Sequence, residues 1–221
     1  MLDIFDILGP IMVGPSSSHT AGAVRIGRMA RTLLGAEPVR AEIGLHGSFA
    51  ETGQGHGTDK ALVAGLLGMK PDDLGIPDSF AIADNQGLTV RFHTISLRDA
   101  HPNTAVVEVE SADGKKLTLQ AASTGGGRIR VDRLDGVEVN FTGMFNTLVI
   151  RHQDVAGELS RILNELSVGG INIANVRLSR NRRGGDGLTV VETDQRVSAD
   201  TLERLRAVYG VQTVTYYGKE D

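Results

Sequence analysis

Cysteine is absent from all 221 residues. No disulfide, thiolate nucleophile or cysteine-held metal cluster can therefore belong to this chain alone. Tryptophan is absent as well, and aromatic residues make up only 4%, so the cores must be built from Leu, Ile, Val and Ala. No run approaches the roughly 18 apolar residues that a membrane span requires, and no membrane association is expected. The net charge of −4 gives no broad basic footprint for nucleic acid. The opening stretch MLDIFDILGP carries acidic residues where a secretion signal would carry basic ones, which points to a cytoplasmic protein. What remains is ordinary globular composition, 40% hydrophobic and 23% charged, in a chain long enough for one large domain or two small ones. Glycine is plentiful at 28 residues.

Periodicity divides the chain into two parts. In the first, Ala23, Ile26, Ala30, Leu33 and Leu34 recur at helical spacing and Gly35 follows as a stop. VRAEIGLH, residues 39–46, alternates as a half-buried strand does. A glycine-rich loop is expected over GQGHGTD, then a helix over 61–67. Alternating runs at 88–94 and 105–121, the latter turning at Asp113-Gly114, and a pair flanking Asp135-Gly136 predict a mostly antiparallel sheet. Residues 1–144 thus read as an α+β domain of helices packed on a sheet. From about Phe145 the pattern restarts. Strand, helix, strand, strand, helix and strand follow over 145–221, with Ser198 placed to cap the second helix. That order, βαββαβ, is ferredoxin-like.

Four stretches carry chemistry. GPSSSHTAG, residues 14–22, places Ser16, Ser17, Ser18, His19 and Thr20 before a helix, where unpaired N–H groups and the helix dipole favour an anion. Ser18 or Thr20 serving as a plain helix cap is the alternative. A serine-hydrolase arrangement is disfavoured, because no G-x-S-x-G elbow occurs. In HGSFAETGQGHGTD, residues 46–59, a strand end delivers His46 and Ser48, and the glycine-rich loop then delivers His56, Thr58 and Asp59 to a second helix start. His56 can act as a general base. Metal ligation by His46 and His56 matches no standard zinc spacing, and no metal site is expected in this chain. TGGGR, residues 124–128, fits equally a ligand approach or a tight strand entry. In HQDVAG and GGINIANV, His152, Asp154 and Asn172 could hold an amino acid, or Asp154 could cap a helix and Asn172 make a turn. RLSRNRR, residues 177–183, is basic but lacks interleaved aromatics, so it reads as a solvated hairpin tip rather than an RNA site.

Taken together, GPSSSHTAG, HGSFAETGQGHGTD and TGGGR resemble the β chain of bacterial iron–sulfur L-serine dehydratase. IRHQDVAGELSRILNELSVGGINIANV resembles an ACT domain, nearest to the serine-binding kind of D-3-phosphoglycerate dehydrogenase. The resemblance implies a lyase that converts L-serine to pyruvate and ammonia with a [4Fe–4S] cluster as Lewis acid. A chain without cysteine would be the β chain, with the cluster held by a cysteine-bearing α chain. The first domain would be similar to the allosteric substrate-binding domain, the intervening domain of that dehydrogenase. The resemblance further implies that His56 faces the cluster chain with a catalytic role. Ser16, Ser17, Ser18, His19, Thr20 and Thr58 would line that interface or an anion site. His152, Asp154 and Asn172 would bind L-serine as effector, although an asparagine is usual at the position of Asp154. Pairing of ACT domains implies a homodimer, with ligand held between the Asp154 loop of one copy and the Asn172 strand of the other.

Two functions are open on these grounds: the β chain of the two-chain lyase, inactive alone, or a stand-alone amino-acid sensor without a catalytic partner. The GPSSSHT and GQGHGTD stretches separate them, because a sensor has no evident use for either.

Overall fold

The computed structural model describes residues 12–14, 16–180 and 182–219. The acidic opening stretch through Ile11 and Pro15 of the GPSSSHT motif lie outside the described residues. The chain divides into two compact units, Met1–Asp135 and Gly136–Asp221.

The first unit opens with a π-helical turn, Ser17–Gly22, that runs directly into α1, Ala23–Leu34. The apolar stripe of α1 is buried as its spacing predicts, with Ala23, Ile26, Ala30, Leu33 and Leu34 all in the core. Gly35 ends the helix at φ +69°, donating its N–H to the Arg31 and Thr32 carbonyls, a left-handed stop that L side chains resist. Next come β1, Pro38–His46, then α2, Ser48–His56, and α3, Thr58–Leu66. A short 3₁₀ turn leads to α4, Ser79–Asn85, and then to β2, Thr89–Ile95. The unit finishes with β3, Thr104–Ser111, β4, Lys116–Gly125, and β5, Arg128–Leu134. The strands of this unit lie in the order β2-β1-β3-β4-β5. All neighbours are antiparallel except β1 and β2. That pair can be parallel because three helices fill the connection between them.

Where α1 meets α3, two glycines remove the side chains that would separate them. A Cβ on Gly65 would stand 2.1 Å from the Val24 carbonyl oxygen, and one on Gly27 would stand 2.3 Å from that of Leu62. Backbone therefore touches backbone, and the helices that carry the two sequence motifs are locked to each other. The glycine-rich loop expected over GQGHGTD is instead helical: α2 continues through Gly53 and Gly55 to His56, and only Gly57, at φ +69°, breaks it from α3. The short helix α4 has no counterpart in the apolar pattern of the sequence. It buries Ser79 and Ala83 rather than large side chains.

The second unit holds β6, Val137–Phe141, which follows β5 across Asp135-Gly136, then β7, Asn146–Gln153, and α5, Glu158–Val168. It continues with β8, Ile173–Arg180, β9, Asp186–Thr193, α6, Ala199–Ala207, and β10, Val211–Tyr217. From β7 onward the order is βαββαβ, in a sheet ordered β10-β7-β9-β8, which is the ferredoxin-like arrangement. Leu148, Ile150 and Val191 of the sheet pack against Ile162 and Leu166 of α5 and Leu205 of α6. Ser198 caps α6 as expected, its Oγ accepting from Thr201 N–H at 3.2 Å.

Candidate active site

The π turn and α2 bring two of the histidines together. Ser48, Thr52 and His56 are spaced four apart, so α2 presents them on one face. His19, on the π turn, lies against that face. Its ring centroid is 5.0 Å from that of His56, at an interplanar angle of 41°, and its edge meets Phe49 at 5.4 Å. Single-turn π segments recur at functional sites.

Hydrogen-bond donors and acceptors fix the protons. Thr52 Oγ1 donates to the Ser48 carbonyl at 2.8 Å. Its only proton is then committed, so at 3.0 Å it accepts from His19 Nε2–H. Ser48 Oγ lies 3.2 Å from the same nitrogen. His19 Nδ1 is left with its lone pair, facing Ser16 Oγ at 3.4 Å. Ser16 also caps the turn, its Oγ accepting from His19 N–H. Burial holds the His19 imidazole below its ordinary protonation range, and the neighbouring His56 pushes in the same direction. For His56, the Nδ1 partner is the Thr52 carbonyl at 3.2 Å. A carbonyl only accepts, so Nδ1 carries a proton, and in the neutral ring the lone pair lies on Nε2. In its neutral form this exposed residue can accept one proton at Nε2.

The other candidates in this unit differ in burial. Ser17 and Ser18 are half-buried beside His19. Thr20 and Thr58 do not reach the surface. Both are buried, and their hydroxyls have no hydrogen-bond partner among the described residues. His46 commits Nδ1 to the Leu97 N–H at 3.3 Å. Among the described residues no three His, Asp or Glu side chains gather as a metal site would require. The TGGGR turn has Gly125, Gly126 and Gly127 all at positive φ, and Arg25 of α1 donates to the Gly127 carbonyl at 2.6 Å. The sequence places Ser48 at a strand end beside His46 and Thr52 among the alternating glycines, but gives neither a role in the site. The signal that points to them is the i, i+4 spacing, which is visible only once 48–56 is read as a helix.

In the second unit, His152 is 1% exposed. Its Nδ1 meets the Gln153 carbonyl and its Nε2 meets Thr189 Oγ1, each at 2.8 Å. Asp154 neither caps α5 nor stands free. Its Oδ2 accepts from the Gly184 N–H at 3.0 Å and from Arg180 at 2.9 Å, and these two contacts, in that order, lower its pKa. Asn172 binds Asp194 at 2.5 Å and, through its backbone N–H, Gln195 at 2.8 Å. Strand register separates these residues. His152 pairs across from Gly187, whereas Ile173, next to Asn172, pairs across from Thr193 at the opposite end of β9. Six residue steps along β9 separate the two levels, about 20 Å at ~3.3 Å per residue. One copy does not bring Asn172 to His152 and Asp154.

Known proteins show the family. Residues 1–86 match the family described as serine dehydratase beta chain. The "Probable L-serine dehydratase, beta chain" of Bacillus subtilis is 39% identical over 212 residues, covering 96% of each chain. The "L-serine dehydratase, beta chain" of Peptoniphilus asaccharolyticus is 36% identical over 213 residues, again covering 96% of each. The chain belongs to the L-serine dehydratase β-chain family. Membership favours the lyase subunit over the stand-alone sensor, because the similarity runs through both units. The second unit is also similar to the ACT domain from GTP pyrophosphokinase of Chlorobium tepidum, at 23% identity over 33% of this chain and 96% of that one, with a TM-score of 0.28. The residues of this dehydratase β chain do not fit an iron–sulfur cluster. Thiolates are the ordinary cluster ligands, and the sequence has none.

Proposed function

We propose that this chain supplies the proton acceptor for L-serine dehydration, with His56 Nε2 taking the α-proton of the substrate. The observation that carries the reading is the His56 Nδ1–H bond to the Thr52 carbonyl, which leaves the lone pair of the neutral ring on Nε2. As the Cα–H bond breaks, its electron pair forms the Cα–Cβ double bond and the β-hydroxyl departs. The His56 proton converts the departing hydroxide to water. The positive charge that His56 carries in between is shared with the Thr52 carbonyl dipole. The aminoacrylate so formed takes up water to give pyruvate and ammonia. A [4Fe–4S] cluster, held by a cysteine-bearing α chain, would supply Lewis acidity toward the hydroxyl.

The exposure of His56 fits a site that the α chain completes. Ser16, Ser17, Ser18 and His19 would meet that chain or an anionic group of the substrate, with Thr20 and Thr58 buried in the same unit. Residues 1–144 form this catalytic part and 145–221 an ACT domain that binds L-serine as effector. His152 and Asp154 of one copy and Asn172 of a second would make the effector site, which requires a homodimer. The separation of these residues within one copy supports that arrangement. Because His152 is internally bonded, it would shape the site through the Gln153 and Asp154 backbone rather than by direct contact. The complex would work in the cytoplasm.

The test is anaerobic pyruvate formation from L-serine by this chain alone and after mixing with the cysteine-bearing α chain. Turnover only in the mixture supports the proposal. Turnover by this chain alone, or none from a complex with a verified cluster, overturns it.

A further inference from the structure

We infer that Thr52 is the positioning residue of the site, coupling His19 to His56 through two different atoms. The inference rests on the reading of His56 as the proton acceptor. The Thr52 carbonyl orients His56, and the Thr52 hydroxyl holds His19. Because its own proton is turned back onto the Ser48 carbonyl within α2, the hydroxyl can meet His19 Nε2 only as an acceptor. The chain of donors therefore runs one way, from His19 to Thr52 to Ser48, and selects the Nε2–H tautomer of His19.

This selection matters to the neighbour. His56 gains a positive charge when it takes the substrate proton, and the His19 ring is 5.0 Å away. A protonated His19 at that distance would oppose the charge. Thr52 keeps His19 fixed in place: Nε2–H is anchored on Oγ1, and Nδ1 is engaged by Ser16. Losing the hydroxyl leaves Ser48 Oγ, at 3.2 Å, as the remaining acceptor for Nε2–H. The Nδ1–H tautomer, which can donate to Ser16 Oγ, then becomes competitive.

Two readouts test this. The first is the ring ¹⁵N spectrum of His19 in the free, ¹⁵N-histidine-labelled chain. The second is kcat and KM for L-serine in the complex with the α chain. The Nε2–H form is expected to dominate in the unaltered chain. Thr52→Val, which keeps shape and backbone, should raise the Nδ1–H population and lower kcat by roughly tenfold with KM unchanged, within the range for a misplaced catalytic group. Thr52→Ser should restore both. An unchanged His19 tautomer in Thr52→Val overturns the inference whatever the activity does, and so does a changed tautomer with unchanged kcat. His56→Gln, run beside these, tests the underlying proton-acceptor reading on its own: an unaltered kcat there condemns that reading, while the tautomer in the free chain still decides the Thr52–His19 link.

Discussion

The imidazoles of His19 and His56 face each other at 5.0 Å, but the protein treats them differently. His19 is half-buried and bonded at both ring nitrogens, whereas His56 is exposed and bonded at Nδ1. One ring is held at both nitrogens, and the other is the proposed proton acceptor. The asymmetry comes from α2, which supplies Ser48 and Thr52 to the first ring and a backbone carbonyl to the second.

The buried ring makes stability depend on pH in a definite direction. His19 has its folded-state pKa lowered, first by burial and then by His56. The unfolded chain therefore binds a proton more readily than the folded one between the lowered value and about 6.5. As pH falls through that window the fold loses stability, and below the folded pKa the loss levels off. Urea unfolding of the free chain at pH 7.5 and pH 5.5 should show a smaller drop for His19→Gln than for the unaltered chain. Equal drops would mean that His19 is not buried as a neutral ring.

Gly55 and Gly65 should respond to alanine with opposite signs. A Cβ on Gly65 meets the Val24 carbonyl oxygen at 2.1 Å, whereas one on Gly55 meets nothing within 4 Å. Gly65→Ala is expected to destabilise the first unit by about 1–3 kcal/mol or more through overpacking. Gly55→Ala, inside α2, is expected to stabilise it by about 0.5–1 kcal/mol. Denaturant midpoints of the two variants check both signs. Destabilisation by Gly55→Ala would show that 48–56 is not the helix described.

Effector binding should require two copies. Asn172 is exposed and about 20 Å along the sheet from the Asp154 loop of its own copy. Asn172→Ala is expected to weaken L-serine binding by roughly 10- to 10²-fold, the loss of one hydrogen bond to a charged group, and His56→Ala to leave it unchanged. Calorimetry across a dilution series should show serine affinity falling as the dimer dissociates. Undiminished binding by a monomeric sample would remove the shared site.

The α6 cap offers a smaller, independent check. Ser198 Oγ accepts from Thr201 N–H, and Ser198→Ala should cost about 1 kcal/mol, read as a lower thermal midpoint. An unchanged midpoint would mean that the cap is satisfied by water.

Regular periodicity made much of this architecture legible before any coordinates. The stripe Ala23–Ile26–Ala30–Leu33 with Gly35, the alternation of 41–45 and the hairpin at Asp113-Gly114 all read directly, because each element buries one face with a single repeat; Val39, at the start of the first strand's run, is exposed instead. The second unit was equally legible from Leu148 to Tyr217. Residues 48–57 were not. Three glycines among polar residues carry no apolar period, so the stretch reads as a loop; tertiary packing on the π turn and on α3 holds it helical. Thr52 was hidden for the same reason, since its partners are defined only by the helical face. His56 and His19 could be named from their motifs, but which nitrogen carries which proton depends on the Thr52 carbonyl and hydroxyl. Asp154 and Asn172 could be named too, while their separation required the strand register.

The most direct measurement is the rate of pyruvate formation from L-serine by the complex of this chain with its α chain, comparing His56→Gln with the unaltered protein. A fall in kcat of roughly 10²-fold or more is predicted for loss of the general base, with complex formation and cluster content unchanged. An unaltered kcat in an intact complex would contradict the assignment of His56 Nε2 as the atom that takes the substrate proton.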